Sequence, residues 1–439
     1  MNGDPFQPHA MKQEAAFVRC YIDQPRSWDG LTRCVIVKGW CFGANGQSIR
    51  AVRLRTNDLS FAGVVGLPRP DVKAALSAAP SDYTGFEVRG VLPSGENHIV
   101  IDALTSNDSW HSLLDQTVHI KKRWRPLWFP GSSCEELMFF QMAGHMKYAP
   151  RPLRVDRLPR SISPVSERPR ISIVTPSFQQ ARFLSTTVSS VWDQKNVDCE
   201  YVVQDGGSTD GSIEILRQFA QTNPADFARS FAWASEPDSG QADAIARGFA
   251  KTSGKPDDLM AWINSDDFYL PGTLAYVADF FARHPNIDVI YGHRILVDEE
   301  GREIGRWFLP AHDDEVLRLN DFVPQETLFW RRRLWDKVGG IDASYKFAMD
   351  WDLLLRFQAA GARIVRVPYF LACFRIHSAQ KTSAQMEFVG KKEIATLNLR
   401  TFGRALLPTE IETHPRLLRY LRKSAWIEFL WRRFHIRHP

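Results

Sequence analysis

Asn264-Ser265-Asp266-Asp267 follows an apolar run, Leu259 to Ile263, that reads as a buried strand. Two adjacent carboxylates cannot both sit unpaired in a dry core, because desolvating a charge is prohibitive. They therefore face solvent or a cation. Hard carboxylate oxygens suit a divalent cation that takes oxygen ligands, such as one set between paired phosphates. The competing role is structural: Asp267 precedes Pro271-Gly272-Thr273 and could cap the helix that follows. Taken alone, the two readings weigh equally.

The elements that must position these residues begin at Arg170. Ile171-Ser172-Ile173-Val174 reads as a strand stopped by Thr175-Pro176-Ser177, and residues 181–193 have helical spacing of Phe183, Leu184, Val188 and Val191. Glu200-Tyr201-Val202-Val203 is a second strand ending at Gln204-Asp205-Gly206-Gly207-Ser208-Thr209-Asp210. Helix, strand (Phe231-Ala232-Trp233) and helix (243–252) follow before the acidic strand end. Strand and helix alternating at this spacing predict a doubly wound α/β sheet. Each strand ends in a polar loop: 175–178, 205–210, 236–241 and 264–267. In such a sheet, ligands bind outside the carboxyl ends of the strands. That convergence decides the tie in favour of a functional site. The Gly206-Gly207 loop is neither a P-loop nor G-x-G-x-x-G, and Asp205 and Asp210 would repel bare phosphate. A carboxylate there suits a base N–H or a ribose hydroxyl.

These motifs, in this order, resemble the family 2 glycosyltransferases, inverting enzymes of the GT-A fold, over roughly residues 170–385. The resemblance implies a nucleotide-sugar donor, with a UDP-sugar expected, and a saccharide or lipid-linked acceptor. It implies that Thr175, Pro176, Ser177 and Asp205 hold the uridine end, and that Asp238 and Gln241 lie near ribose and diphosphate. It makes Asn264-Ser265-Asp266-Asp267 the D-x-D-type motif, with Asp266 facing the ribose and Asp267 binding Mn²⁺ or Mg²⁺. His377 would complete the metal site, and Lys381 would reach the diphosphate. Asp350 aligns with the family's base, although Met349 stands where a Glu is usual. Asp352 is the fallback base, but a helix-start carboxylate is its expected role. Ala246 replaces the family's usual Asn and is assigned no contact. Gln325-Glu326-Thr327 is expected near the donor or acceptor sugar.

The remaining chain is read more coarsely. Residues 1–16 are expected to be a disordered leader. Residues 17–120 carry short β-rich runs broken by turn residues, which predict an all-β sandwich-like domain. Trp40 and Phe42 alternate onto one face and are expected in its core rather than on a sugar-stacking platform. Residues 121–169 read as a helical (133–146) and then Pro/Arg-rich linker, extended and exposed. The transferase domain is expected over 170–388, and a basic helical tail over 389–439. That tail is expected to pack on the catalytic domain, with contact to an anionic membrane as the alternative.

A net charge of +5 over 439 residues gives no indication of nucleic acid. Six scattered cysteines, without a C-x-x-C pair, exclude a zinc ribbon or disulfide framework. No apolar run approaches the ~18–20 residues of a membrane span, and the polar start does not suit a signal peptide. The expected setting is cytoplasmic, with peripheral membrane contact. A competing class is a non-catalytic sugar-binding scaffold with a degenerate transferase domain. Retention of Asp205, Asp267 and Asp350 argues against it. A sugar nucleotidyltransferase would need a Gly-rich, basic loop after the first strand, and residues 175–180 offer none.

Overall fold

The computed structural model describes residues 18–120 apart from breaks at 26, 30, 32–33, 44–46, 57–58, 77 and 93–94, then 148, 150–222, 229–377 and 389–435. The predicted leader, the 133–146 helix and Lys381 lie outside the described residues. The chain forms two compact units.

The first unit contains β1 (Val18–Gln24), β2 (Cys34–Gly43), β3 (Ile49–Thr56), β4 (Leu59–Leu67), one helical turn α1 (Pro70–Ala75), β5 (Gly85–Val91), β6 (Gly95–Thr105) and β7 (Trp110–Ile120). All neighbours are antiparallel, in the order β1-β2-β5-β4-β3-β6-β7. Alternating residues such as Val35, Val37, Val52, Leu54, Phe86 and Val88 turn inward to one shared core. Phe42 is buried and stacks on Trp40 at 5.6 Å, beside Val72 of α1. Trp40 and Phe42 are therefore packing residues, as their alternation predicts.

The second unit begins with β8 (Ile171–Ser177), α2 (Ala181–Trp192), β9 (Cys199–Asp205), α3 (Ser212–Thr222), β10 (Arg229–Ser235), α4 (Gln241–Ala250) and β11 (Leu259–Trp262). β10, β9, β8 and β11 are parallel neighbours in that order. Every residue of β8 and β11 is buried, and β11 accordingly reads as a continuous apolar run. Next come β12 (Phe268–Tyr269), α5 (Thr273–Arg283), β13 (Val289–Val297), β14 (Glu303–Trp307), α6 (Asp314–Leu319), β15 (Phe329–Arg331), α7 (Arg332–Val338), α8 (Met349–Ala359) and β16 (Ile364–Arg375). β15 is antiparallel to both β11 and β13, and β16 runs parallel to β13. The sheet is thus mixed, and the carboxyl ends of β8, β9, β11, β13 and β16 share one edge.

The chain closes with α9 (Lys391–Phe402), α10 (Pro408–Glu412) and α11 (Pro415–His435). Leu417, Tyr420, Leu421 and Ala425 of α11 enter the large core of this unit, so the helix packs on it. Trp426 and Phe429 point outward, 44% and 39% exposed. No helix among the described residues is long and apolar enough to cross a membrane. The 150–170 segment is extended and largely exposed, but it is pinned. Arg151 bridges to Glu303, and Asp279 accepts the backbone N–H groups of Ile162 and Ser163 at 3.1 and 2.7 Å.

Gly248 lets α4 lie close on β8. A Cβ there would sit 2.5 Å from a Val174 methyl. Gly248→Ala is expected to lower unfolding free energy by about 1–3 kcal/mol through overpacking, read as a lower denaturant midpoint.

Candidate functional site

The four polar strand ends meet as the sequence requires. Asp205 is fully buried at the end of β9. Its Oδ1 accepts the N–H groups of Gly207 (3.0 Å) and Ser208 (2.8 Å) and the Ser235 hydroxyl (2.7 Å), and its Oδ2 accepts the Ser208 hydroxyl (2.7 Å). Both oxygens are thus engaged in shaping the loop. Gly207 has φ +87°, and a Cβ on Gly206 would lie 2.8 Å from Asp238 Oδ2. Glycine is needed at both positions, one for the left-handed turn and one for the close approach of the 236–241 loop. Phe178, 58% exposed, lies beside the same Gly206.

Thr175 turns into the core, where its hydroxyl meets the Tyr201 hydroxyl at 3.0 Å. Pro176 is buried. Ser177 is 3% exposed, and its Oγ has no hydrogen-bond partner. An orphaned buried hydroxyl at a strand end marks a place where a ligand atom would complete the bonding. Gln241 Nε2 donates to Asn264 Oδ1 at 2.6 Å, which joins the 236–241 loop to the acidic strand end.

At that strand end the two aspartates differ. Asp266 Oδ2 lies 2.9 Å from His377 Nε2, with the Asp266 side chain 18% exposed. Asp267 is 1% exposed, and its Oδ1 accepts the Arg375 N–H at 2.9 Å. Burial, followed by the charges of Asp266 and Glu326, pushes the Asp267 carboxyl well above its ordinary range. Asp267 does not cap α5, which starts at Gly272 without a side-chain cap. Arg375 fixes the turn further: its Nε donates to the Asp266 carbonyl at 2.9 Å and its Nη1 to the Glu299 carbonyl at 2.8 Å.

Asp266 rather than Asp267 therefore stands beside His377. One carboxylate oxygen and one imidazole nitrogen suit Mn²⁺ and related borderline ions. Among the described residues, no cluster of three or more His, Cys, Asp or Glu is arranged to hold an ion.

Asp350 sits half-buried in the first turn of α8, accepting the Trp351 N–H at 2.9 Å. Burial raises its carboxyl, with Arg294 opposing and Glu326 reinforcing. Asp352 is fully buried and paired with Arg356 (2.6 Å) and Arg400 (2.5 Å). It is a structural carboxylate, as its helix-start position predicts.

Sequence reasoning missed Arg294, whose fork meets Glu326 at 2.7 and 2.5 Å, both side chains buried. Asp267 and Asp350 both feel this pair, so the cleft joins the two acids through it. Gln325 Nε2 donates to the Trp262 carbonyl at 2.9 Å, leaving its buried Oε1 without a partner. Gln325 and Glu326 belong to the segment the sequence placed near the sugar, and Phe178 carried a weaker signal as a lone large aromatic in a polar strand-end loop.

A profile described as "Glycosyl transferase family 2" matches residues 172–339. The O-antigen biosynthesis protein RfbC of Myxococcus xanthus is 30% identical over 54% of this chain, which covers 18% of that protein. A PGL/p-HBAD biosynthesis glycosyltransferase of Mycobacterium bovis is 29% identical over 45% of this chain and 73% of its own length. An uncharacterised glycosyltransferase of Mycobacterium tuberculosis is 30% identical over 48% and 74%, respectively. Among solved structures, S. aureus TarS 1-349 in complex with UDP-GlcNAc has a TM-score of 0.43 at 17% identity, over 60% of this chain and 72% of that one.

Removing one partner of a buried ion pair strands the other charge. Arg294→Met is expected to cost about 3–5 kcal/mol of stability, whereas the double substitution Arg294→Met/Glu326→Leu should recover most of it. Chemical denaturation of the three proteins checks this.

Proposed function

This chain belongs to glycosyltransferase family 2, and on that premise we propose that it is a metal-dependent, inverting transferase. It would move a sugar from a nucleoside-diphosphate donor, with UDP the preferred carrier, to a hydroxyl of a saccharide or lipid-linked acceptor. The observation that carries this reading is the Asp266–His377 contact of 2.9 Å at the end of β11, and the charges of Arg294 and Glu326 act on both Asp267 and Asp350. The printed names of relatives point to O-antigen and PGL/p-HBAD biosynthesis, which supports a role in making cell-envelope glycans.

In the proposed mechanism Phe178 offers a ring face to the base, and Ser177 Oγ and Gln325 Oε1 supply unfilled hydrogen-bonding positions. Asp205 acts indirectly, by holding Gly206 and Gly207 so that backbone can approach the nucleoside. Asp238 and Gln241 face the ribose and diphosphate from the neighbouring loop. Asp266 and His377 would hold Mn²⁺ or Mg²⁺, with Asp267 anchoring the strand end behind them. When bound, the cation supplies stabilisation of charge on the departing diphosphate.

Asp350 accepts the proton of the acceptor hydroxyl while that oxygen attacks the anomeric carbon. The bond from that carbon to the diphosphate oxygen breaks on the opposite face, so configuration inverts in one displacement. A raised pKa makes Asp350 a stronger base than a solvated aspartate, provided the pH lies above it. The outward face of α11, with Arg419, Lys423, Trp426 and Phe429, would rest on an anionic membrane that presents such acceptors.

The test is donor hydrolysis and transfer with a panel of nucleotide sugars. Asp350→Asn is expected to lose about 10²–10⁴-fold in turnover while still binding nucleotide. Asp266→Ala and His377→Ala should each raise the Mn²⁺ needed for half activity, and EDTA should abolish turnover. Hydrolysis indifferent to EDTA and to Asp350→Asn would sink the assignment.

A further inference from the structure

A cavity of about 240 Å³ lies beside His293, and none of the residues assigned to the donor site lines it. Leu158, Phe308, Tyr369, Phe370 and Trp431 line it, together with His293 of β13. The rings are packed edge-on and tilted, with Phe308 5.1 Å from Phe370 and 5.4 Å from Trp431. His293 is 6% exposed, and its Nδ1 accepts the Leu309 N–H at 3.1 Å. Its Nε2 therefore carries the ring proton, and among the described residues that N–H meets no acceptor. Burial and the nearby Arg366 charge push the His293 pKa down to about 3, so the donor is neutral at working pH.

At the rim, Asp156 is paired with Arg306. Arg157 is exposed and has no acid partner among the described residues. The lining thus offers hydrocarbon contact, one neutral donor and one free cation. A sugar ring would bury several hydroxyls against a single donor, each unpaired one at a cost. Inorganic phosphate would gain nothing from the rings. The volume also falls below the roughly 300–1,000 Å³ of sites that enclose a whole drug-sized ligand, so it fits one end of a longer molecule. Trp431 belongs to α11, the helix whose outward face carries Trp426 and Phe429 beside basic residues.

We propose that this cavity holds the hydrocarbon end of an anionic amphiphile, with His293 Nε2–H on its first oxygen and Arg157 at its phosphate. The site stands apart from the transfer chemistry and does not depend on it. Such an amphiphile could be a free lipid phosphate or a bilayer lipid, and the test separates the two.

Calorimetry on the full chain would use monomeric decyl phosphate, inorganic phosphate, and phosphatidylcholine vesicles with or without phosphatidylglycerol. Decyl phosphate should bind saturably and inorganic phosphate should not. Arg157→Glu, a surface change that leaves folding intact, and His293→Leu should each weaken binding about tenfold. Leu158→Trp should block the cavity and abolish binding. The same losses with phosphatidylglycerol vesicles would identify bilayer lipid as the source, and losses with the monomer alone would identify free lipid. No saturable binding to either, or equal binding by wild type and all variants, would overturn the proposal. Donor hydrolysis should stay unchanged in every variant, so this result is independent of the transferase reading.

Discussion

The cleft depends on burying charge at one sheet edge without leaving it unpaired. Arg294 reaches this edge from β13, with its guanidinium near the rings of Trp307 and Phe374 at 5.1 and 4.4 Å and its fork closed on Glu326. Because that pair is internally neutral, its charges on the neighbouring acids oppose each other, Glu326 raising and Arg294 lowering them. Asp267 and Asp350 are accordingly both shifted upward, with burial as the leading cause. An acidic cleft of this kind repels a bare diphosphate. That is the physical reason a cation enters the proposed mechanism, and Asp266 with His377 is where the geometry offers it donors.

A second constraint is that the acidic strand end is held from behind. Arg375 binds the Asp267 side chain through its own N–H and the Asp266 carbonyl through its guanidinium, while Thr187 Oγ1 lies 2.9 and 2.7 Å from the carbonyls of Ser265 and Asp267. Asp267 Oδ1 is held by that scaffold, and Asp266 supplies the carboxylate oxygen that meets His377. Asp205 has the same character at the end of β9, since all four of its hydrogen bonds serve its own loop and the adjoining Ser235.

The parallel half of the sheet was legible because short strands rich in apolar residues each end in a polar loop and alternate with helical spacing. The all-β unit was legible from alternation, and Trp40 with Phe42 from their shared face. What could not be read was the use of each carboxylate. Asp266 and Asp267 are neighbours with equal chemistry, and only the fold decides which meets His377 across 111 positions. Glu326 was legible within Gln325-Glu326-Thr327, but its pairing with Arg294 gave no local sign, because the two lie in different elements 32 residues apart. Family resemblance singled out the Asn264–Asp267 segment, but it could not say which of the two aspartates meets His377.

The most direct measurement is the pH dependence of kcat/KM for transfer, because Asp350 must be ionised to take the acceptor's proton. Its raised pKa means that the base form appears only as pH rises through that value. The acid limb of the profile should therefore lie clearly above the ~3.9 of an ordinary aspartate, with activity increasing toward neutrality. A limb at or below that value, or one that persists unchanged in Asp350→Asn, would contradict the account.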